Sequence, residues 1–185
     1  YTTLFRSNGL PKLSNLIFQL SFSRISHEDL LSLIEQIPTT RIFEKLTIDL
    51  SFADNIDDKI IKNFLSKISI QSRLKALDLS LAGCQEIQNQ SLEHLAKVIP
   101  KLRSLQEFNL YCNGCLGISQ SGLEKVFISV SELENLDSFK IDLDSCDKLA
   151  DEALNAITEC LKIAKLASFH IGLNECHNIE KKTLT

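Results

Sequence analysis

Residues 74–99, LKALDLSLAGCQEIQNQSLEHLAKVI, set a pattern that recurs along the whole chain at intervals of 30 or 31 residues. Leu77, Leu79 and Leu81 alternate with Asp78 and Ser80, the period of a strand with one buried face. After Cys84 and Ile87, the leucines and valines at Leu92, Leu95, Val98 and Ile99 take the period of a helix. The same strand–turn–helix unit returns as Leu105, Phe108, Leu110, Cys112, Cys115, Ile118, Leu123, Val126 and Val130, and as Leu136, Phe139, Ile141, Leu143, Cys146, Leu149, Leu154, Ile157 and Leu161. It also runs back through Phe43, Leu46, Ile48 and Leu50 to Leu13, Leu16, Phe18 and Leu20, and forward to Leu166, Phe169, Ile171, Leu173, Cys176, Ile179 and Leu184. Six units therefore begin near 13, 43, 74, 105, 136 and 166. Ser26, Asp57, Ser119 and Asp151 stand where helix entry needs a side chain that accepts from first-turn amides, and Asn89 is expected to serve the third unit.

A unit reading L-x-x-L-x-L-x-L-x-x-C-x-x-I and then a helix resembles the leucine-rich repeat, in its helix-bearing, ribonuclease-inhibitor-like class. The period exceeds the usual 20–29 residues of that family. A two-residue extension of the strand keeps side-chain parity, so it adds one inward residue without turning any other to the wrong face. The resemblance implies an α/β solenoid of horseshoe form, with a parallel β-sheet on the concave face and α-helices on the convex face. A doubly wound α/β domain is the rival, but helices on both faces demand continuously apolar strands. Asp49, Asp78 and Asp142 interrupt the strands here, so one strand face is wet.

The chain has 185 residues, 44% hydrophobic and 24% charged, enough for one domain with a sizeable core. We read residues 1–185 as a single repeat domain. A net charge of −4 without basic clusters speaks against a nucleic-acid surface. No apolar run is long enough to insert in a membrane, and the first residues lack the layout of a signal peptide. A cytoplasmic protein is expected, with the cytoskeleton among its placements. The absence of methionine, Leu10 standing three residues before Leu13, and the stop at EKKTLT suggest a piece of a longer chain, flanked by further repeats or domains.

Chemistry-bearing residues fall into the repeat register. Cys84, Cys115, Cys146 and Cys176 occupy one turn position in successive units, a ladder rather than a cluster, with rungs about 4.8 Å apart. A zinc site needs four ligands converging on one point, so this spacing points to structural thiols and to no metal. Cys112 and Cys160 fall on apolar positions. His27, His94, His170 and His177 have no partner at ligand spacing, Gly114 and Gly117 lack the rest of a phosphate loop, and no serine has a histidine and an acid in register. The chain reads as a non-enzyme without a cofactor.

The wet strand face remains. One row holds Ile17, Thr47, Asp78, Asn109, Lys140 and His170, and the next holds Gln19, Asp49, Ser80, Tyr111, Asp142 and Gly172. Glu107 and Lys45 lie in a flanking row, Asp144 in another. Five acids (Asp49, Asp78, Glu107, Asp142, Asp144) against two lysines (Lys45, Lys140) leave the face three negative charges in surplus. In leucine-rich repeat proteins this is a common binding surface. We therefore expect a protein-interaction scaffold that takes a protein or peptide of basic character on Asp49, Asp78, Glu107, Asn109, Tyr111, Lys140, Asp142, Asp144 and His170, with Tyr111 as the aromatic anchor. The alternative is the recognition or regulatory segment of a larger enzyme, a kinase, ubiquitin-ligase adaptor or GTPase regulator, with its catalytic domain outside these residues.

A repeat buries its apolar stripe only against neighbours. The isolated 185-residue chain is therefore expected either to associate end to end or to need its flanking sequence to be soluble, and light scattering checks this. A monodisperse monomer at high concentration would mean that both ends are closed.

Overall fold

Each five-residue strand carries two apolar side chains on one face, too little to bury alone, so its stability depends on a neighbour in register. A computed structural model describes residues 13–179. Within them the strands β1 (Asn15–Gln19), β2 (Lys45–Asp49), β3 (Ala76–Ser80), β4 (Glu107–Tyr111), β5 (Ser138–Asp142) and β6 (Ser168–Gly172) form one sheet in chain order, every pair parallel. The helices α1 (His27–Glu35), α2 (Asp58–Ile68), α3 (Asn89–Val98), α4 (Gln120–Ser131) and α5 (Glu152–Ile163) alternate with the strands, each packing on the next. Leu10, Leu184 and the helix expected after Ile179 lie outside the described residues.

The register follows the repeat. Leu16, Leu46, Leu77, Phe108, Phe139 and Phe169 are successive partners, as are Phe18, Ile48, Leu79, Leu110, Ile141 and Ile171. From Leu16 to Ile141 both rows are buried. Phe108 stacks on Phe139 with ring centroids 5.3 Å apart, and Phe127 of α4 meets Phe139 edge-on at 5.8 Å. Burying a side chain of this size contributes about 1.5–3 kcal/mol. On the opposite face the same strands present polar side chains, which matches the alternation in sequence.

After each strand the chain turns in the same way. The amides of Ser23, Ala53, Cys84, Cys115 and Cys146 donate to the carbonyls of Leu20, Leu50, Leu81, Cys112 and Leu143, three residues back. The residue before each of these amides is left-handed: Phe22, Phe52, Gly83, Gly114, Ser145 and, in the last unit, Glu175, with φ between 53° and 71°. Glycine takes that conformation freely, whereas a side chain there costs about 1 kcal/mol or more. Two phenylalanines occupy it nonetheless.

Helix entry is partly a matter between units. Ser26 Oγ accepts from the amide of Asp29, and Asp57 Oδ1 from that of Ile60, as expected. Asn89 does not cap its own helix. Its Oδ1 accepts from the amide of Ser119, and its Nδ2 donates to Ser119 Oγ, so it serves α4 in the following unit. Ser119 holds the N-cap position of α4 without bonding a first-turn amide through its own side chain, and the same is true of Asp151 at α5. The free amides at the start of α3 are met from the preceding unit: Asp58 Oδ1 accepts from Gln88 N at 3.0 Å, Ser91 N at 3.1 Å and Ser91 Oγ at 2.5 Å. A local reading of the sequence assigns caps within a unit, and the parallel stacking hands them across.

Asp58→Ala should therefore destabilise the fold by about 1–2 kcal/mol, at the upper end for a cap because three donors lose their acceptor. Asp58→Asn should recover most of it. Urea denaturation reads the difference, and an unchanged midpoint for the alanine variant would remove the inter-unit cap from the account.

Candidate functional site

The open face of the sheet is a grid of five-residue strands at about 4.8 Å spacing, so each side chain has neighbours from the strands on either side. The rows read from sequence are the rows observed: Ile17, Thr47, Asp78, Asn109, Lys140 and His170 are consecutive partners, as are Gln19, Asp49, Ser80, Tyr111, Asp142 and Gly172. Glu107 lies between Ala76 and Ser138 in the row that begins at Asn15. Ile17 is the one apolar member of its row and is exposed.

The carboxylates are not equally available. Asp78 sits at the centre of a net across three strands, accepting from Asn109 Nδ2 at 2.5 Å and Thr47 Oγ1 at 3.2 Å, with Lys45 Nζ 3.8 Å away. Asp49 Oδ1 accepts from the amide of Ser51 at 3.0 Å and from its hydroxyl at 2.6 Å. Since Ser51 has spent its proton on Asp49, the 2.6 Å contact between Ser51 Oγ and Ser80 Oγ has Ser80 as donor. Asp144 holds Asn174, its Oδ1 accepting from the amide and its Oδ2 from Nδ2, both at 2.8 Å.

At the far side of the grid Gly172 leaves room for two acids to converge. A methyl group on its Cα would lie 2.7 Å from Asp144 Oδ1 and 2.8 Å from Asp142 Oδ1. The negative end of the face is thus around Asp142 and Asp144, while Asp78 is largely matched. Tyr111 departs from the expected acidic surround: Lys140 Nζ stands 5.0 Å from its ring centroid, a cation–π contact that covers one face of the ring. His170 is exposed on β6, four strands away from Asp49 and Ser51. His170 therefore does not stand beside the hydroxyl–carboxylate chain of Ser80, Ser51 and Asp49.

Behind the sheet the cysteine ladder is built as a set of clamps. Cys84 Sγ donates to Leu50 O at 3.2 Å, Cys115 to Leu81 O at 3.0 Å, Cys146 to Cys112 O at 3.2 Å and Cys176 to Leu143 O at 3.2 Å. Each acceptor is the carbonyl that closes the turn of the preceding unit, so it takes an amide and a thiol together. All six cysteines are free and buried. Ser23 fills the same slot in the first unit, and its buried hydroxyl has no partner among the described residues. Burial pushes the Cys84 and Cys146 thiols up to about 12 and that of Cys160 to about 11. The Cys112 thiol is raised too, through a hydrogen bond with Cys115 and through burial. Among the described residues no three or more His, Cys, Asp or Glu side chains gather where they could hold a metal ion, and no helix is long and apolar enough to cross a membrane.

No protein-family model matches the chain, and no curated protein matches its sequence. Solved structures do match its fold. The structure described as leiomodin-1 actin-binding site 2 superposes with a TM-score of 0.59 at 12% identity, covering 84% of this chain and 82% of that one. The tropomodulin C-terminal domain of Caenorhabditis elegans gives 0.58 at 19% identity, covering 82% and 84%. The likeness is one of fold. The α/β architecture of a parallel sheet alternating with helices extends over four-fifths of all three chains, and of these two the leiomodin-1 domain is described by what it binds, actin.

Two groups escaped the sequence reading. Gly172 gave no sign because its role depends on carboxylates from the neighbouring unit. Phe22 and Phe52 were passed over although the register marks them: the third residue after each strand runs Phe, Phe, Gly, Gly, Ser, Glu, and large aromatics share a slot with glycine.

The raised thiols make stability depend on pH. Buried Cys84 and Cys146 hold their protons to about 12, against an ordinary value near 9 once unfolding exposes them. The unfolded chain thus loses protons first, and stability should be constant up to about pH 8 and fall as pH rises past 9 toward the folded values. Urea midpoints between pH 7.5 and 10 under reductant, wild type against Cys84→Ala with Cys146→Ala, check this, and parallel curves would refute it.

Proposed function

We propose that the chain is a non-catalytic protein-binding module: a single leucine-rich repeat array, bent as a horseshoe, whose open strand face lies on the concave side and receives a protein partner. The observation that carries the reading is that face itself, six strands wide and in strict register, with polar and charged side chains where a purely structural sheet needs only solvent-compatible ones. Its acid surplus, concentrated at Asp142 and Asp144, selects a partner surface with Lys or Arg. Asp49, Asp78, Glu107, Asn109 and His170 complete the contact around Tyr111, whose ring Lys140 occupies until the partner displaces it. The fold likeness to leiomodin-1 actin-binding site 2 makes actin the first partner to test and the cytoskeleton the first place to look.

Lys140 adds a specific expectation. A basic partner that stacks on Tyr111 must displace the resident ammonium, so Lys140→Ala should bind about three- to tenfold more tightly, the increase lying in the faster association that charge removal brings. Tyr111→Ala should shorten the complex's lifetime, and Asp142→Lys should slow association by an amount that fades with added salt. Co-sedimentation with actin filaments and binding kinetics on monomeric actin provide the readout. If the three variants behave as wild type while charge reversals on the helices abolish binding, the partner reads the helical side and the open face is only solvated.

A further inference from the structure

The left-handed residues after the strands form a row along the edge of the sheet where strands pass into helices. Phe22, Phe52, Gly83, Gly114 and Ser145 each donate their amide to a carbonyl of the next unit, at 2.7–2.9 Å, which holds successive members at the sheet spacing. The row is chemically polarised. At one end the rings of Phe22 and Phe52 stack, centroids 4.9 Å apart and 9° from parallel, yet stay 74% and 48% exposed. Phe52 leans over Gly83, its ring lying 2.3 Å from where a Cβ would stand. Gly114 is bare: a Cβ there would meet only the backbone of Gly83, at 3.8 Å.

At the other end Ser145 Oγ donates to Glu175 Oε2 at 3.0 Å, beside Asp142 and Asp144. Glu175, Asp142 and Asp144 thus put three carboxylates at that end. Around the rings Arg24 and Asp54 face each other at 4.0 Å and cancel. Core packing does not account for the phenylalanines, because they remain in water, and the two units that follow show that glycine meets the turn's backbone demand without strain.

We propose that this edge is a docking strip for a linear segment of another protein, one large apolar or aromatic side chain lying against Phe22 and Phe52 and one or two Lys or Arg side chains reaching the acidic end. From β2 to β5 is three strand spacings, roughly 14 Å, which an extended chain covers in about four residues. The motif is therefore apolar, then basic, about four residues apart, with its backbone passing over the bare Gly114. The exposed aromatic pair supplies the contact area and the carboxylates fix direction and register. The inference rests on the chain being a protein-binding module; the strip shares its acidic end at Asp142 and Asp144 with the open face, and its aromatic end at Phe22 and Phe52 is separate.

The test uses a fluorescein-labelled Gly-Ser peptide carrying Trp and, four residues on, Arg-Arg, with fluorescence anisotropy on the whole chain. Phe22→Gly with Phe52→Gly should weaken binding at least about tenfold. Moving the arginines next to the Trp should weaken wild-type binding to a similar extent, and Glu175→Lys should weaken it several-fold at low salt and little at high salt. Glycine suits the left-handed positions, so the double variant is expected to keep its cooperative unfolding. Unchanged affinity in the double variant, or indifference to the Trp–Arg spacing, overturns the proposal. A double variant that no longer unfolds cooperatively, with Glu175→Lys binding as wild type, does so too, since the rings are then structural. Loss of a concentration-dependent dimer in the double variant, with no peptide binding by wild type, assigns the strip to a second copy instead and also overturns it. Tyr111→Ala reads the open face and the phenylalanine pair reads the edge, so the two readings fail separately.

Discussion

From the second unit to the fifth, each turn-closing carbonyl takes two donors, and the two come from different units. Leu50 O receives the amide of Ala53 from its own turn and the thiol of Cys84 from the next, Leu81 O those of Cys84 and Cys115, and Cys112 O those of Cys115 and Cys146. A thiol is a weak donor and no single bond of this kind holds a fold. Repeated at every step, however, it ties the turn geometry of one unit to its neighbour. The strand ahead of the turn is then brought into register and the helix behind it is launched from a fixed point. The constant spacing from strand to cysteine follows from this coupling, because an extra residue between them would carry the sulfur away from its carbonyl.

The open face is what this regularity leaves over. Side chains there owe nothing to the core, and their interactions are lateral, with neighbours one strand away. That explains why a surplus of three negative charges is so unevenly expressed. Asp78, in mid-sheet, has Asn109, Thr47 and Lys45 within reach, whereas Asp142 and Asp144 crowd over Gly172 and present a compact negative end. Tyr111 on β4 has its Lys140 neighbour on β5. A face built in this way carries local pairs and local surpluses, and its recognition properties lie in their order along the array.

Strand positions, pairing order and the inward rows were legible in the sequence, because side-chain parity and a constant period determine all three together. Leu77 and Asp78 announce their faces by alternation alone, and the register to Phe108 and Asn109 follows once the step of 31 is known. Contacts that cross units by a side chain were not legible. Asn89 was assigned to its own helix when its carboxamide in fact reaches Ser119, and Asp58, unremarkable beside Asp57, holds three donors of the next unit. Nothing in local sequence says whether a cap is used at home or next door. Lys140 over Tyr111 belongs to the same class, since two adjacent polar positions on paired strands do not reveal which rotamer brings them together. Phe22 and Phe52 are legible in another way: aligned by unit they share a slot with Gly83 and Gly114, so large aromatics stand where the turn favours glycine.

The caps at α3 and α4 point one way along the chain. Asp58 belongs to the second unit and completes a helix of the third, and Asn89 belongs to the third and completes a helix of the fourth. The thiols reach backward in the complementary sense, each later unit closing onto a carbonyl that an earlier unit has already placed. From the third unit on, each unit thus meets a carbonyl already placed for its sulfur. At the third and fourth units the acceptor for the helix start is supplied by the preceding unit as well. The array is thus directional in its thiol and helix-start amide hydrogen bonds as well as in its sequence: acceptors stand in the earlier unit and donors in the later one.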